Sequence, residues 1–285
     1  GCRGLSRSKL QNFLKRARRY IDWLENAVHA RYEWWVNGMP RRLLLAAWVS
    51  NAVILALPIP FDNLFPSIAI LIVMLGLNAV KNIAIAASLA KLFRGGELTA
   101  NFSAKHLWTH CNATAVASKM IADSLKIGLA DEAFLAGLMH DIGIMVEMQF
   151  DRAKLIDVFH KAGVDGKGVP LNDWLKAEEE AFGANHQDFG VALCEKWRFP
   201  KTFTYVTGFH HRPLELPAEA RTLASIVYIA DRLASELEGG FRADLLTTDI
   251  APEVLTFLKL DQAKIDAIRK VLPDEVKNAS AVLSA

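Results

Sequence analysis

The sequence predicts an all-α protein, and three observations carry that expectation. Apolar residues recur at helical spacing through most of the chain, and no useful length alternates apolar with polar as a half-buried strand would. Ser, Asp, Asn and Pro stand where helices would begin, and glycines where they would stop. Of the 285 residues 52% are hydrophobic, enough to bury a sizeable core.

The elements follow in order. Gln11–Trp35 reads as a helix whose aromatic stripe of Tyr20, Trp23, Trp34 and Trp35 packs as core. Arg41–Leu57 and Ser67–Phe93 read as apolar helices, and Arg94-Gly95-Gly96 as a helix stop. An N-terminal helical subdomain over 1–95 and a second helical domain over 96–285 are the expected organisation, together forming one unit. Ser103–Leu125 is amphipathic, with Leu107, Cys111, Thr114, Ala117 and Ile121 near one stripe. Asp131 is placed to cap a helix from Glu132 to about Phe150, and Asp151–Ala162 follows. After a loop at Gly163–Pro170, Asn172 is placed to cap a helix through Phe182, and Asn185 one through Trp197. Pro200 opens a short helix ending near His210-His211. Pro217–Leu237 is a long helix stopped by Gly239-Gly240, and Pro252–Leu258 and Asp261–Val271 complete the set.

Charge is almost balanced, at +2 with histidine neutral, which predicts no strong attraction to nucleic acid or to a membrane surface. The acid-free stretch at 3–19, with Arg3, Arg7, Lys9, Lys15, Arg16, Arg18 and Arg19, reads as the solvated face of a first helix rather than a phosphate-binding arm. Leu43–Phe61 and Asn63–Val80 carry no charge and are long enough to consider as membrane spans. Ser50-Asn51, Pro58 and Pro60 interrupt the first, and Asn63, Pro66, Gly76 and Asn78 the second, so buried core helices are expected and no membrane insertion. Cys2, Cys111 and Cys194 lack any paired spacing, which excludes a disulfide framework and a zinc knuckle and suits a reducing cytoplasm. No apolar run directly follows the basic start, so no signal peptide is expected.

The chemistry is concentrated in polar groups set among apolar neighbours. His110 lies close to the apolar stripe of its helix, and His140-Asp141 sits inside Gly137-Leu138-Met139-His140-Asp141-Ile142-Gly143. His186 starts a helix, His210-His211 ends one, and Asp231 lies on a mostly apolar helix. An ionised aspartate or a lone imidazole buried there costs several kcal/mol unless it is paired or bound to a cation. Either a metal centre or an ion-free network of aspartates and imidazoles would satisfy them. Imidazole and carboxylate donors suit iron, manganese or zinc, and a carboxylate has two oxygens with which to bridge two cations. Two bridged ions can activate water for attack on phosphorus.

Ala136-Gly137-Leu138-Met139-His140-Asp141-Ile142-Gly143 resembles the signature of the HD superfamily of metal-dependent phosphohydrolases. The flanking strings narrow the resemblance to HDOD domains, which are bacterial signalling modules. They are His106-Leu107-Trp108-Thr109-His110-Cys111, His186-Gln187-Asp188-Phe189-Gly190-Val191-Ala192-Leu193 with Trp197 and Pro200, His210-His211-Arg212-Pro213, and Ile229-Ala230-Asp231-Arg232-Leu233-Ala234. Ser50-Asn51 and the run from Ser67-Ile68-Ala69-Ile70 to Leu75-Gly76-Leu77 resemble the N-terminal part of such domains, so the resemblance spans roughly 41–240. It implies an HD-type helical bundle with an N-terminal helical subdomain. It further implies that His110, His140, Asp141 and Asp231 hold one divalent cation, and that Asp141, bridging, joins His186, His210 and His211 on a second. Asp141 is accordingly the residue to which a catalytic role would fall.

Two departures bear on activity. Many active HD enzymes carry a lysine just after His-Asp-Ile-Gly, where this chain has Ile144, and Arg212-Pro213-Leu214-Glu215 follows the paired histidines where HD-GYP phosphodiesterases carry Gly-Tyr-Pro. The expected function is therefore a signal-transduction module, non-enzymatic or weakly active, whose partners are other signalling proteins or a nucleotide second messenger. The alternative is a metal-dependent phosphodiesterase acting on a nucleotide or cyclic dinucleotide. His29, His106 and His160 are expected to have no role, Lys119 and Lys126 to face solvent, and Arg232 to be a surface charge.

Overall fold

The computed structural model describes residues 97–283 apart from 100, 101, 167 and 238–240. The expected helices at Gln11–Trp35, Arg41–Leu57 and Ser67–Phe93, the basic stretch at 3–19 and the two charge-free runs lie outside the described residues. By compactness the chain divides after Lys81, and everything described belongs to the second unit. Among the described residues no helix is long and apolar enough to cross a membrane.

Among the described residues the unit is helical apart from one small antiparallel ribbon that the sequence pattern did not foretell. β1 (Glu97–Thr99) pairs with β2 (Phe102–Ser103), with Glu97 opposite Ser103 and Thr99 opposite Phe102. The strands are too short for period-two alternation to register. Ser103 then caps α1 (Ala104–Leu125), its hydroxyl accepting from the His106 amide.

The expected helix from Glu132 to Phe150 is instead two. α2 (Ala130–Met139) and α3 (Ile142–Phe150) are separated at His140-Asp141. Asp141 has φ −97° and ψ 19°, the bridge region rather than the helix, and the chain turns there. Asp131 is not the N-cap: α2 starts one residue earlier, after Leu129, and Asp131 lies in the first turn, where its charge favours the helix dipole. Asp151 caps α4 (Arg152–Ala162), and Gly163 ends it in the left-handed region. Asp173, not Asn172, caps α5 (Trp174–Phe182), while the Asn172 amide donates to the Lys161 carbonyl at 2.9 Å. Asn185 caps α6 (His186–Lys196) in a full capping box with Asp188.

α7 (Lys201–Phe209) follows Pro200 as expected. The long helix expected from Pro217 begins as a 3-10 turn at Ala218–Ala220 and becomes α8 (Arg221–Ser235). α9 (Pro252–Leu258) keeps its expected bounds. α10 (Gln262–Leu283) runs well past the expected end at Val271 and straight through Pro273. Proline removes one helical hydrogen bond, but the buried Leu272 and Val276, which packs on the core, hold both sides of it in place.

α1 is central, packing on α2, α8 and α10, while α6 packs on α3 and α7. The shared core includes Leu107, Ile121, Leu138, Ile142, Ile226, Ile229 and Ile265, all solvent-inaccessible. Two glycines set the closest approaches. A Cβ on Gly137 would lie 2.7 Å from the Thr114 carbonyl oxygen of α1, and one on Gly143 only 1.8 Å from the His186 carbonyl oxygen of α6. Only glycine lets these main chains meet.

Candidate metal centre

The close approaches of α1 to α2 and of α3 to α6 bring the seven sequence-predicted residues to one place. His110, His140, Asp141, His186, His210 and Asp231 are fully buried, and His211 is nearly so. They form two groups that meet at Asp141.

In the first group, His110 Nε2 lies 3.3 Å from His140 Nε2 and 3.1 Å from Asp231 Oδ1. His140 Nε2 lies 3.2 Å from Asp141 Oδ2 and 3.7 Å from Asp231 Oδ1. In the second, His186 Nε2 lies 3.5 Å from His210 Nε2 and 3.2 Å from His211 Nε2. Asp141 turns its other oxygen, Oδ1, to this group, 3.4 Å from His210 Nε2 and 3.9 Å from His186 Nε2.

The helix ends fix which ring nitrogen faces inward. His140 Nδ1 donates to the Gly137 carbonyl at 2.8 Å. His210, just past the end of α7, donates from Nδ1 to the Val206 and Thr207 carbonyls, each at 3.2 Å. His210 thus also satisfies the last turn of its helix. In each ring Nε2 is left facing the cluster, the nitrogen through which the ring would take a metal.

Two acids that the sequence reading passed over complete the arrangement. Glu178 on α5 holds His186, with Oε2 2.8 Å from Nδ1 and accepting from the His186 amide at 3.0 Å. The Trp174 indole in turn donates to Glu178. Its signal was present: Trp174, Ala177 and Glu178 share the buried face of α5, where Glu179 and Glu180 point outward. Asp244 sits 3.4 Å from His211 Nε2. It lies outside any helix and has no periodicity to betray it, only the buried neighbours Phe241, Ala243 and Leu245.

The electrostatics follow from burial and neighbours. Burial would depress the His140 imidazole, but Asp141 and Asp231 outweigh it and hold it well above its ordinary value. Burial would raise Asp141 and Asp231, but the surrounding imidazoles hold both well below the usual carboxylate range. Glu178 overcomes burial at His186 and lifts it to about 9. Burial, together with neighbouring histidines, lowers His210 and His211, leaving both neutral and able to act as donors. Burial, then Asp141 and Asp231, pushes Asp244 well up.

The donor set fits divalent cations. Both oxygens of Asp141, Asp231 and Asp244 are buried without a hydrogen-bond donor. Buried carboxylates are normally paired or coordinate metal. Candidate ligand atoms fall into His110, His140 and Asp141 in one group, and His186, His210, His211 and Asp244 in another.

The residues expected to have no role behave unevenly. His160, Lys119 and Lys126 are exposed, and Cys111 and Cys194 are buried thiols raised by desolvation. His106 packs at the start of α1 with Nδ1 3.2 Å from the Ser103 hydroxyl. Arg232 is not a surface charge: it is 7% exposed, donates to the Tyr228 and Asp249 carbonyls and stacks 3.4 Å over the Tyr228 ring. Those bonds and the stack offset its desolvation.

Two family models match the chain. That of the HDOD domain covers residues 65–213, just over half of the chain, and that of "Exopolysaccharide synthesis, ExoD" covers residues 2–93. The HDOD match includes every candidate ligand up to His211 and ends before Asp231 and Asp244. No curated protein matches. Among solved structures, an HDOD domain protein of unknown function from Geobacter sulfurreducens is 19% identical, with a TM-score of 0.51 over 93% of this chain and 99% of that one. A provisionally assigned phosphohydrolase from Shewanella amazonensis SB2B is 20% identical, with a TM-score of 0.53 over 81% of this chain and 80% of that one. A provisionally assigned signal transduction protein from Marinobacter aquaeolei VT8 is 18% identical, with a TM-score of 0.56 over 74% of this chain and 46% of that one. At these identities the likeness is one of fold.

Proposed function

The chain belongs to the HDOD domain family, and from that premise we propose that it is a signal-transduction module whose His/Asp centre binds two divalent cations and serves to order the fold more than to turn over substrate. The observation that carries this reading is Asp141, with Oδ2 facing the His110/His140 group and Oδ1 facing the His186/His210 group. One cation would be held by His110, His140, Asp141 and Asp231, the other by His186, His210 and His211 with Asp141 between them. Iron, manganese and zinc all accept such mixed imidazole and carboxylate donors.

A weak hydrolytic role is disfavoured by what surrounds the donors. Ile144, fully buried beside the centre, offers a phosphate neither charge nor hydrogen bond. Among the described residues the donors are almost wholly covered, His211 alone keeping 12% of its side chain exposed, so a phosphodiester has little room to reach them. Partners of such a module would be other signalling proteins or a nucleotide second messenger.

A second reading, a phosphodiesterase acting on a nucleotide or cyclic dinucleotide, draws on the completeness of the donor set. Cations held by these residues would supply activation of water and neutralisation of charge developing at phosphorus. In that reading Asp141 would fix the spacing of the ions, Glu178 would orient His186, and His140 would be held by the Gly137 carbonyl.

Metal analysis of the purified full chain, followed by turnover of a generic phosphodiester with added manganese or iron, tests both. Bound metal without hydrolysis, with metal lost in His140→Ala, is the expected result. Hydrolysis that disappears in Asp141→Asn would replace the first reading with the second. A normally folded chain that takes up no cation would leave only an ion-free polar network.

A further inference from the structure

Asp244, like Asp231, lies beyond the residues that the HDOD match covers. We propose that Asp244 is a further ligand of the cation at His186, His210 and His211, beside the bridging Asp141, and that it fills the position a water or a phosphate oxygen would otherwise take. The inference rests on the metal-centre reading above.

Four observations support it. The donor atoms of His186, His210, His211 and Asp244 all lie within 4.8 Å of one another. The neighbour distances, 3.2 and 3.5 Å between imidazoles and 3.4 Å from His211 to Asp244, suit adjacent donors on one small cation. For metal–donor bonds of about 2.0–2.1 Å such donors lie about 3.0–3.4 Å apart. Both carboxylate oxygens of Asp244 are buried with no hydrogen-bond donor, which a cation would satisfy.

The fourth observation is where Asp244 comes from. His211 is the one histidine of the centre with measurable exposure, 12% of its side chain, and Asp244 lies against it. The segment carrying Asp244 is pinned from both sides. Phe241 packs edge-on to the His110 and Trp174 rings, at 6.0 and 5.8 Å between centroids, and Arg232 grips the Asp249 carbonyl at 3.1 Å. The carboxylate is thus held over the least buried side of the second group, where a ligand from solvent would have to enter. With Asp141 and Asp244 both joining the three imidazoles, protein donors would occupy the position that a catalytic cation keeps open. Charge points the same way. A carboxylate that joins the imidazoles as a ligand offsets half of a dication's charge.

The test uses the full chain loaded with zinc or manganese, with metal counted per chain and inorganic phosphate titrated as a probe. Asp244→Ala is expected to lose at least tenfold in affinity for one of two equivalents, keep the other, and bind phosphate that the loaded wild type does not. Asp231→Asn is expected to weaken the other equivalent instead. Two equivalents held by Asp244→Ala with unchanged affinity would overturn the ligand assignment, and phosphate bound equally by both loaded proteins would overturn the closure. If the wild type binds no cation, the metal-centre reading itself fails, a result separable from the other two. Should Asp244→Ala not fold, a crystal structure of the loaded wild type decides: an Asp244 oxygen about 2.0–2.2 Å from the ion supports the assignment, and one beyond about 3 Å overturns it.

Discussion

Glu147 illustrates what the interior does to a single acid. It is fully buried on α3, with neither oxygen finding a donor. Burial, then the Glu178 carboxylate, raises it from 4.5 to about 11. Its folded-state pKa is above the unfolded one, so its contribution to stability is most favourable below pH 4.5 and is lost as pH rises toward 11. Each pH unit in that window costs about 1.4 kcal/mol, on the order of 3 kcal/mol by neutrality. Glu147→Gln keeps a neutral polar group and removes the titration. Its urea midpoint is expected to gain on the wild type steadily from pH 5 to pH 9, and an offset that does not change with pH would contradict this. The candidate ligands were legible in the sequence because imidazoles and acids among apolar neighbours announce an unmet need. Glu178 was not, since it stands in a run with Glu179 and Glu180 and only the face of α5 separates them. Arg232 was misread because hydropathy places a guanidinium outward, whereas two backbone carbonyls and the Tyr228 ring hold it inside.

At the level of the element, the legible boundaries are those where a side chain caps the helix. Ser103, Asp151 and Asn185 each accept from the first turn that follows, and each boundary falls where the sequence put it. The break at His140-Asp141 was hidden because no proline lies there and apolar residues continue on both sides. The passage of α10 through Pro273 was hidden for the opposite reason, since packing outweighed a local breaker. Asn185 ties element to site, because the residue it caps into place is His186. Asn185→Ala is expected to cost about 1 kcal/mol in urea unfolding. It should also weaken the second cation more than the first, measured as metal retained against a chelator. Equal weakening of both would show that the cap acts only on global stability.

On the scale of the molecule, the helical character of the described unit followed from periodicity, while the β1–β2 ribbon and the 241–251 segment that covers the centre obey no period and could only be seen folded. Buried Asp141, Asp231 and Asp244 gather acids without hydrogen-bond donors in one place, and a cation satisfies them in the folded chain alone. Free cation at about a hundred times its dissociation constant is expected to add about 2.7 kcal/mol per site. The melting temperature should rise accordingly, fall again with chelator, and rise less in His140→Ala, which keeps the ligands of the second site; a wild-type melting point indifferent to metal would count against the centre. The contact between Gly143 and the His186 carbonyl has a further consequence. Main chain rests on main chain there, so the span between the two donor groups is set by the backbone and not by any interchangeable side chain. Ligands can be exchanged one at a time and alter what is bound, but the separation at which two ions would face each other across Asp141 behaves as a fixed gauge.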